Sequence, residues 1–323
     1  MSRYLLRRLA AAALMLVLLS AVTFGLLRAA PGDPIAAYVS PTIPMSAGAI
    51  AALRQRLGLD QPLAEQYLRW AWQALHGDLG RSISHDEMPV ASLIAARVGP
   101  TALLMGTGIL LSTGFGVLLG IAASVWRGGT LDAVLSGLAA LALASPAFLT
   151  GLLALFLFAA RLRWLPAGGL ITPGEVSGGG WGWLDVARHL VLPASVLAAA
   201  QVAVPLRYMR AAMIESLGAQ YVRTARAKGL SPARVVLVHA LRNALLPVVT
   251  LTGATIGTAI GGAVFVESVF DWPGMGSLLV SAVSARDYPL VMGIALVVGA
   301  FVLLANLVTD IVYGAVDPRI RIA

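Results

Sequence analysis

Six apolar runs without Asp, Glu, Lys or Arg divide this chain. They lie between Arg8 and Arg28, Arg97 and Arg127, Asp132 and Arg161, Arg188 and Arg207, Arg242 and Glu267, and Asp287 and Asp310. Each approaches or exceeds the roughly 17–25 residues with which a helix crosses the hydrocarbon core of a bilayer. Helix is the required conformation, because lipid offers no partner to an open backbone N–H or C=O. The pattern predicts six transmembrane helices.

The polar stretches between the runs have patterns of their own. Residues 46–57 and 63–75 alternate apolar and polar positions at helical spacing and are separated by Gly58 and Pro62, which predicts two short amphipathic helices. Pro31-Gly32-Asp33-Pro34 marks an abrupt exit from the first helix. The chain therefore reads as an anchor helix at 1–30, an outer segment at 31–97 and a five-helix core at 98–323 with a cationic loop at 208–242. The first apolar run is longer than the roughly 7–15 residues of a signal-peptide core, so an uncleaved anchor is expected.

Composition agrees with lipid as the solvent: 59% of residues are hydrophobic, 12% are charged, and mean hydropathy is +0.85. The absence of cysteine excludes disulfides, a thiol nucleophile and a Cys-based metal site. The net charge of +8 is not gathered on an aromatic-interleaved face, so nucleic acid is not the expected partner. Instead Arg3, Arg7, Arg8, Arg127, the 208–242 loop, Arg319 and Arg321 fall on one side of the six spans. The positive-inside rule makes that side, and both termini, cytoplasmic.

Arg207, Arg210, Arg223, Arg226, Lys228, Arg234 and Arg242 concentrate charge around one inner segment. Its local chemistry predicts helix, turn, helix. Residues 215–228 form the first helix, with Gly229 in left-handed conformation just past its end. Ser231 is the next N-cap and Pro232 the first helical residue, and this helix runs toward Arg242. Asn243 and Pro247 mark the start of the fifth span. Topology or lipid headgroups require cations but not such a hairpin, so protein docking is the better reading.

The stretch Tyr221-Val222-Arg223-Thr224-Ala225-Arg226-Ala227-Lys228-Gly229-Leu230, followed by residues 239–247 (His-Ala-Leu-Arg-Asn-Ala-Leu-Leu-Pro), resembles the cytoplasmic loop of ABC importer permeases. The resemblance is to the B-type permeases of dipeptide, oligopeptide and nickel uptake. It extends over nearly the whole chain through Pro31–Pro34, Leu57–Asp60, Gly77–Gly80, Glu267–Gly276, Arg286–Pro289 and Asp317–Arg319. Arg223-Thr224-Ala225 stand where the wider superfamily has Glu-Ala-Ala, so a specific Glu contact is not carried over. The resemblance implies an all-helical type I importer fold in a bacterial inner membrane. It implies a second, homologous permease (a heterodimer), two ATPase subunits that bind ATP and Mg, and an extracytoplasmic solute-binding protein. The helix at Arg223–Leu230 would be the coupling helix seated in an ATPase. Dipeptides, longer peptides, glutathione and nickel chelates all remain open as cargo.

The residues offer no chemistry of the chain's own. The one lysine, Lys228, is followed by Gly229 rather than standing in a P-loop, so ATP hydrolysis is not expected here. Charges stop at the span ends, which disfavours an ion-coupled carrier; a non-transport scaffold is the other alternative. His85-Asp86-Glu87 reads as a solvated turn, and no metal or cofactor is expected in the chain. Gly253, Gly257 and Gly261, like Gly116 and Gly120, recur at four-residue spacing and let helices approach closely. Pro193, Pro205 and Pro247 are candidate kinks or hinges. The outer turn Phe270, Trp272, Pro273, Gly274 and Gly276 adjoins the expected docking side of the binding protein; its tryptophan could alternatively be an interfacial anchor.

Overall fold

The computed structural model describes residues 2–30, 46–56, 58–174 and 182–316. The expected exit at Pro31–Pro34, Leu57 and the tail at Asp317–Arg319 lie outside the described residues. The helices are α1 (Ser2–Ala29), α2 (Ala47–Arg56), α3 (Leu63–Leu75), α4 (Val90–Val125), α5 (Thr130–Ala144), α6 (Ala147–Ala154) and α7 (Trp183–Gln201). They continue as α8 (Ala203–Gly218), α9 (Gln220–Ala227), α10 (Pro232–Arg234), α11 (Leu241–Val269), α12 (Met275–Ser284) and α13 (Tyr288–Val316). Both predicted helices of the 31–97 segment are present within a residue or so of their expected ends, α3 with the expected apolar face and α2 only weakly amphipathic.

Among the described residues, four helices are long and apolar enough to cross a membrane: Leu6–Ala29, Val90–Val125, Trp183–Gln201 and Tyr288–Thr309. The third expected span is not one straight helix. α5 and the helix beginning with α6 meet at 104°. The reason is local: Ser145 precedes Pro146 and is extended (φ −84°, ψ 122°), the conformation that a following proline ring favours. The remaining expected span lies in α11, which is continuous over 29 residues.

The residues cluster into two compact units, Met1–Gly99 with Gly274–Leu304, and Pro100–Pro273 with Ala305–Ala323. In the first unit, Val90 and Ile94 of α4 pack with Met275, Leu278 and Ala282 of α12 and with Leu290, Val291 and Ile294 of α13. α3 is tied to α1 by Tyr67, whose hydroxyl lies 3.0 Å from Ser20 Oγ and whose ring lies 5.7 Å from that of Phe24. The Asp287 carboxylate just before α13 is fully buried and accepts hydrogen bonds from the Ser82 and Ser84 hydroxyls and the Ser84 N–H.

In the second unit, α4 presents a stripe of small residues, Gly108, Ser112, Gly116 and Gly120, at four-residue intervals. A Cβ on Gly116 would stand 2.7 Å from Pro205, and one on Gly120 2.7 Å from Met209 and 2.8 Å from the Leu206 carbonyl. The stripe is what lets α8 lie directly on α4, as small residues do between membrane helices. Leu104, Leu192, Val196, Leu197, Val266, Phe270 and Trp272 form one core. Met209 and Met213 of α8 belong to another, together with Val222, Ala225, Val235, Ala240, Ala244 and Val248.

Candidate functional site

The cationic segment begins where α8 ends. A helix over 215–228 was expected, but α8 runs to Gly218 and Ala219 is extended (φ −70°, ψ 153°), so α9 starts afresh at Gln220. Neither Gly nor Pro stands at Ala219. The break turns Val222 and Ala225, three residues apart on one face of α9, into the core made by α8 and α11. Both are almost wholly buried. The opposite face carries Tyr221, Arg223, Thr224, Arg226 and Ala227, all exposed, and Lys228 follows, also exposed.

The end of α9 is fixed by its backbone. Gly229 has φ +74°, its N–H donates to the Arg226 carbonyl at 3.0 Å, and Leu230 N–H donates to the Ala225 carbonyl at 3.4 Å. This pair of bonds is a Schellman motif, completed by Leu230 packing into the same core as Ala225. Nothing lies within 4 Å of where a Gly229 Cβ would be, so the demand at that position is conformational rather than steric. Ser231 and Pro232 occupy the expected N-cap and first helical positions, although the Ser231 side chain makes no capping bond. The return helix is not a separate element ending near Arg242. α10 continues through a π-helical turn, Val235–Ala240, directly into α11, and Pro247 lies inside that run. The cationic turn is thus joined without interruption to a 29-residue helix.

Arg210 belongs to different chemistry from its cationic neighbours. Its Nε and Nη2 donate to the two carboxylate oxygens of Asp132 at 2.6 and 2.7 Å. Asp132 is buried in the first turn of α5 and also accepts from the Gly128 N–H at 2.9 Å. Sequence reasoning counted Arg210 among the cationic charges and missed this bridge between α5 and α8. The available signal was a lone acidic residue at the start of an apolar helix.

The proposed hinges differ among themselves. Pro193 sits inside an uninterrupted α7. Four residues before Pro205, whose nitrogen cannot donate to the Gln201 carbonyl, α7 gives way to α8. In α11, Gly261 faces open space and Gly262 instead approaches Leu197; Gly257 is half-buried, and the surroundings of Gly253 lie outside the described residues. Phe270 and Trp272 are buried, and the Trp272 indole N–H donates to the Pro100 carbonyl at 3.0 Å. Trp272 is therefore a core side chain, not an exposed interfacial anchor. Pro273 follows it half-buried, while in the first unit Gly274 caps α12 and Gly276 is buried in its first turn.

Residues 116–322 match the family model described as the binding-protein-dependent transport system inner membrane component, and residues 1–96 match the N-terminal model of such components. The chain belongs to this family. It is 50% identical over 322 residues, covering all of both chains, to a putative peptide permease protein of Brucella suis. It is 39% identical to the glutathione transport system permease protein of Salmonella paratyphi A and 36% identical to the dipeptide transport system permease protein of Escherichia coli K12, each over 99% of both chains. The fold resembles a chain of the inward-facing MetNI methionine ABC transporter, with TM-score 0.57 and 16% identity, over 70% of this chain and 96% of that one. The protein is thus an all-helical, multi-pass inner-membrane permease subunit of an ABC importer, a transport component and not an ATPase.

Proposed function

We propose that this permease forms, with a second and homologous permease, the pathway for di- or oligopeptides or a related small solute. A solute-binding protein delivers the cargo outside, and two ATPase subunits bind and hydrolyse ATP beneath. The names of its relatives support a peptide-type cargo. With this orientation both chain termini are cytoplasmic, in keeping with the distribution of arginine.

The observation that carries the coupling role is the division of α9 into two faces. Val222 and Ala225 are locked into the α8–α11 core, while Tyr221, Arg223, Thr224, Arg226, Ala227 and Lys228 stand exposed. Among the described residues, no carboxylate pairs with Arg223, Arg226 or Lys228. A partner with an acidic groove gains those charges, and any push on α9 passes through Val222 and Ala225 into α8 and α11. Nucleotide-driven closure of the ATPases then biases a two-state rearrangement of the pathway. Pro205, Pro247 and the glycines of α11 lie along the helices that would move.

The test is uptake into vesicles reconstituted with the complete importer. Flux that requires ATP, the ATPases and the binding protein supports the reading. Flux driven by an ion gradient without ATPases makes the chain a carrier, and no flux with a complete assembly makes it a scaffold.

A further inference from the structure

The first unit contains a cleft of about 400 Å³ between the end of α1, α3 and the start of α13. Its charged lining consists of Arg28, Arg69, Arg81 and Glu87, so three cations face one carboxylate. None of the three arginines is satisfied by an acid among the described residues. Arg28 donates to the neutral Gln66 amide at 2.6 Å and lies over the rings of Phe24, at 5.3 Å, and Tyr288, at 6.0 Å. Arg69 donates to Gln61 Oε1, and Arg81 to the backbone carbonyl of Glu87. Trp70, which also lines the cleft, has its indole N–H buried without an acceptor. A half-buried guanidinium and a buried N–H donor both gain from an added oxyanion.

A second, open and mostly apolar groove of about 420 Å³ runs alongside, between α1 and α3, and shares Phe24 and Arg28 with the cleft. The two cavities together are amphiphilic, with an apolar trough at one end and surplus positive charge at the other. Their place on the chain suits such a ligand. Arg28 is in the last turn of a span whose Leu18, Val22 and Leu26 are exposed, where acyl chains run. Trp, Tyr and Arg side chains at the end of a span lie at headgroup depth.

We propose that this cleft binds the phosphate headgroup of an anionic phospholipid, with an acyl chain in the α1–α3 groove. The site is independent of the cargo and of ATPase docking. Its test uses the full-length chain in neutral detergent, titrated by native mass spectrometry with dioleoylphosphatidylglycerol, dioleoylphosphatidylcholine or inorganic phosphate. One phosphatidylglycerol should bind per chain in preference to phosphatidylcholine. The exposed pair of substitutions Arg69→Gln and Arg81→Gln should weaken it roughly thirtyfold, each charge removed lowering the affinity to about a fifth. Arg127→Gln with Arg188→Gln, which removes the same charge elsewhere, should leave binding unchanged. Equal binding of both lipids, or full binding by the Arg69/Arg81 double variant, would overturn the proposal. Displacement of phosphatidylglycerol by an equal concentration of inorganic phosphate would overturn it as well, by showing a simple anion site.

Discussion

Arg210 holds Asp132 through two hydrogen bonds, 2.6 and 2.7 Å long, and so fastens α8 to the first turn of α5. The carboxylate side chain is 7% exposed and the guanidinium 31%, so water screens the pair only from the arginine side. Replacing Arg210 with Met leaves a buried carboxylate without its cation and should destabilise the protein by about 1–3 kcal/mol, discounted for that partial exposure. Combining Arg210→Met with Asp132→Asn should recover part of the loss. Thermal unfolding of the single and double variants in detergent measures the coupling; strict additivity of the losses would mean that the bridge contributes nothing.

Gly229 tests the shape of the cationic turn. Its φ of +74° disfavours a β-branched residue, so Gly229→Val should cost about 1–2 kcal/mol locally, whereas Gly229→Asn should be tolerated. The expected phenotype of the valine variant is normal insertion with ATP hydrolysis no longer matched by uptake. Parallel assays of ATPase activity and flux on the assembled importer read this directly, and wild-type flux in Gly229→Val would count against the turn's role.

Charge on the exposed face is a separate question from shape. Arg223→Glu with Arg226→Glu should lower the yield of co-purified ATPase subunits by about an order of magnitude while leaving the amount of permease in the membrane unchanged. Unaltered co-purification would return these arginines to a topological role.

The glycines of α4 and α11 should part company. A Cβ at Gly120 would meet Met209 and the Leu206 carbonyl below 3 Å, so Gly120→Val should destabilise the isolated chain by about 1–3 kcal/mol. Gly261 has open space around it, so Gly261→Leu should leave the chain's own melting temperature nearly unchanged. If α11 lies against the second permease, the same Gly261→Leu change should reduce assembly, measured by size-exclusion chromatography. Normal assembly would remove Gly261 from that interface.

Much of the fold was legible because lipid punishes charge so heavily that the span limits are written in Arg, Asp and Glu. The two helices after the first span were legible from periodicity, and the end of α9 from Gly229, since the motif there demands a positive φ. The bend after Ser145 also had a signal, the Ser-Pro pair inside an apolar run, but one proline does not say whether a membrane helix bends or breaks. The fresh start at Ala219 had only a weak one, Gly218 just before it, because the break chiefly serves tertiary packing of Val222 and Ala225. Long-range partners were harder still: Asp132 stands out as a lone acid at the head of an apolar helix, but nothing names Arg210 as its cation, and nothing around Trp272 points to the Pro100 carbonyl. Of the candidate site, the run of cations around Lys228 could be read from sequence, whereas the division of α9 into two faces, which puts Ala225 and Leu230 of the expected coupling set into the core, and its anchorage on α8 and α11 required the fold.

The chain has no cysteine, so Arg226→Cys creates a unique thiol on the exposed face of α9. Cross-linking that thiol within the complete importer, with uptake measured on the same vesicles, is the most direct test of the coupling role. The account predicts that the thiol joins to an ATPase subunit through a short cross-linker and that the joined complex loses ATP-driven uptake. A thiol that stays free for a bulky water-soluble reagent in the assembled complex, with uptake continuing at the wild-type rate once it is modified, would contradict it.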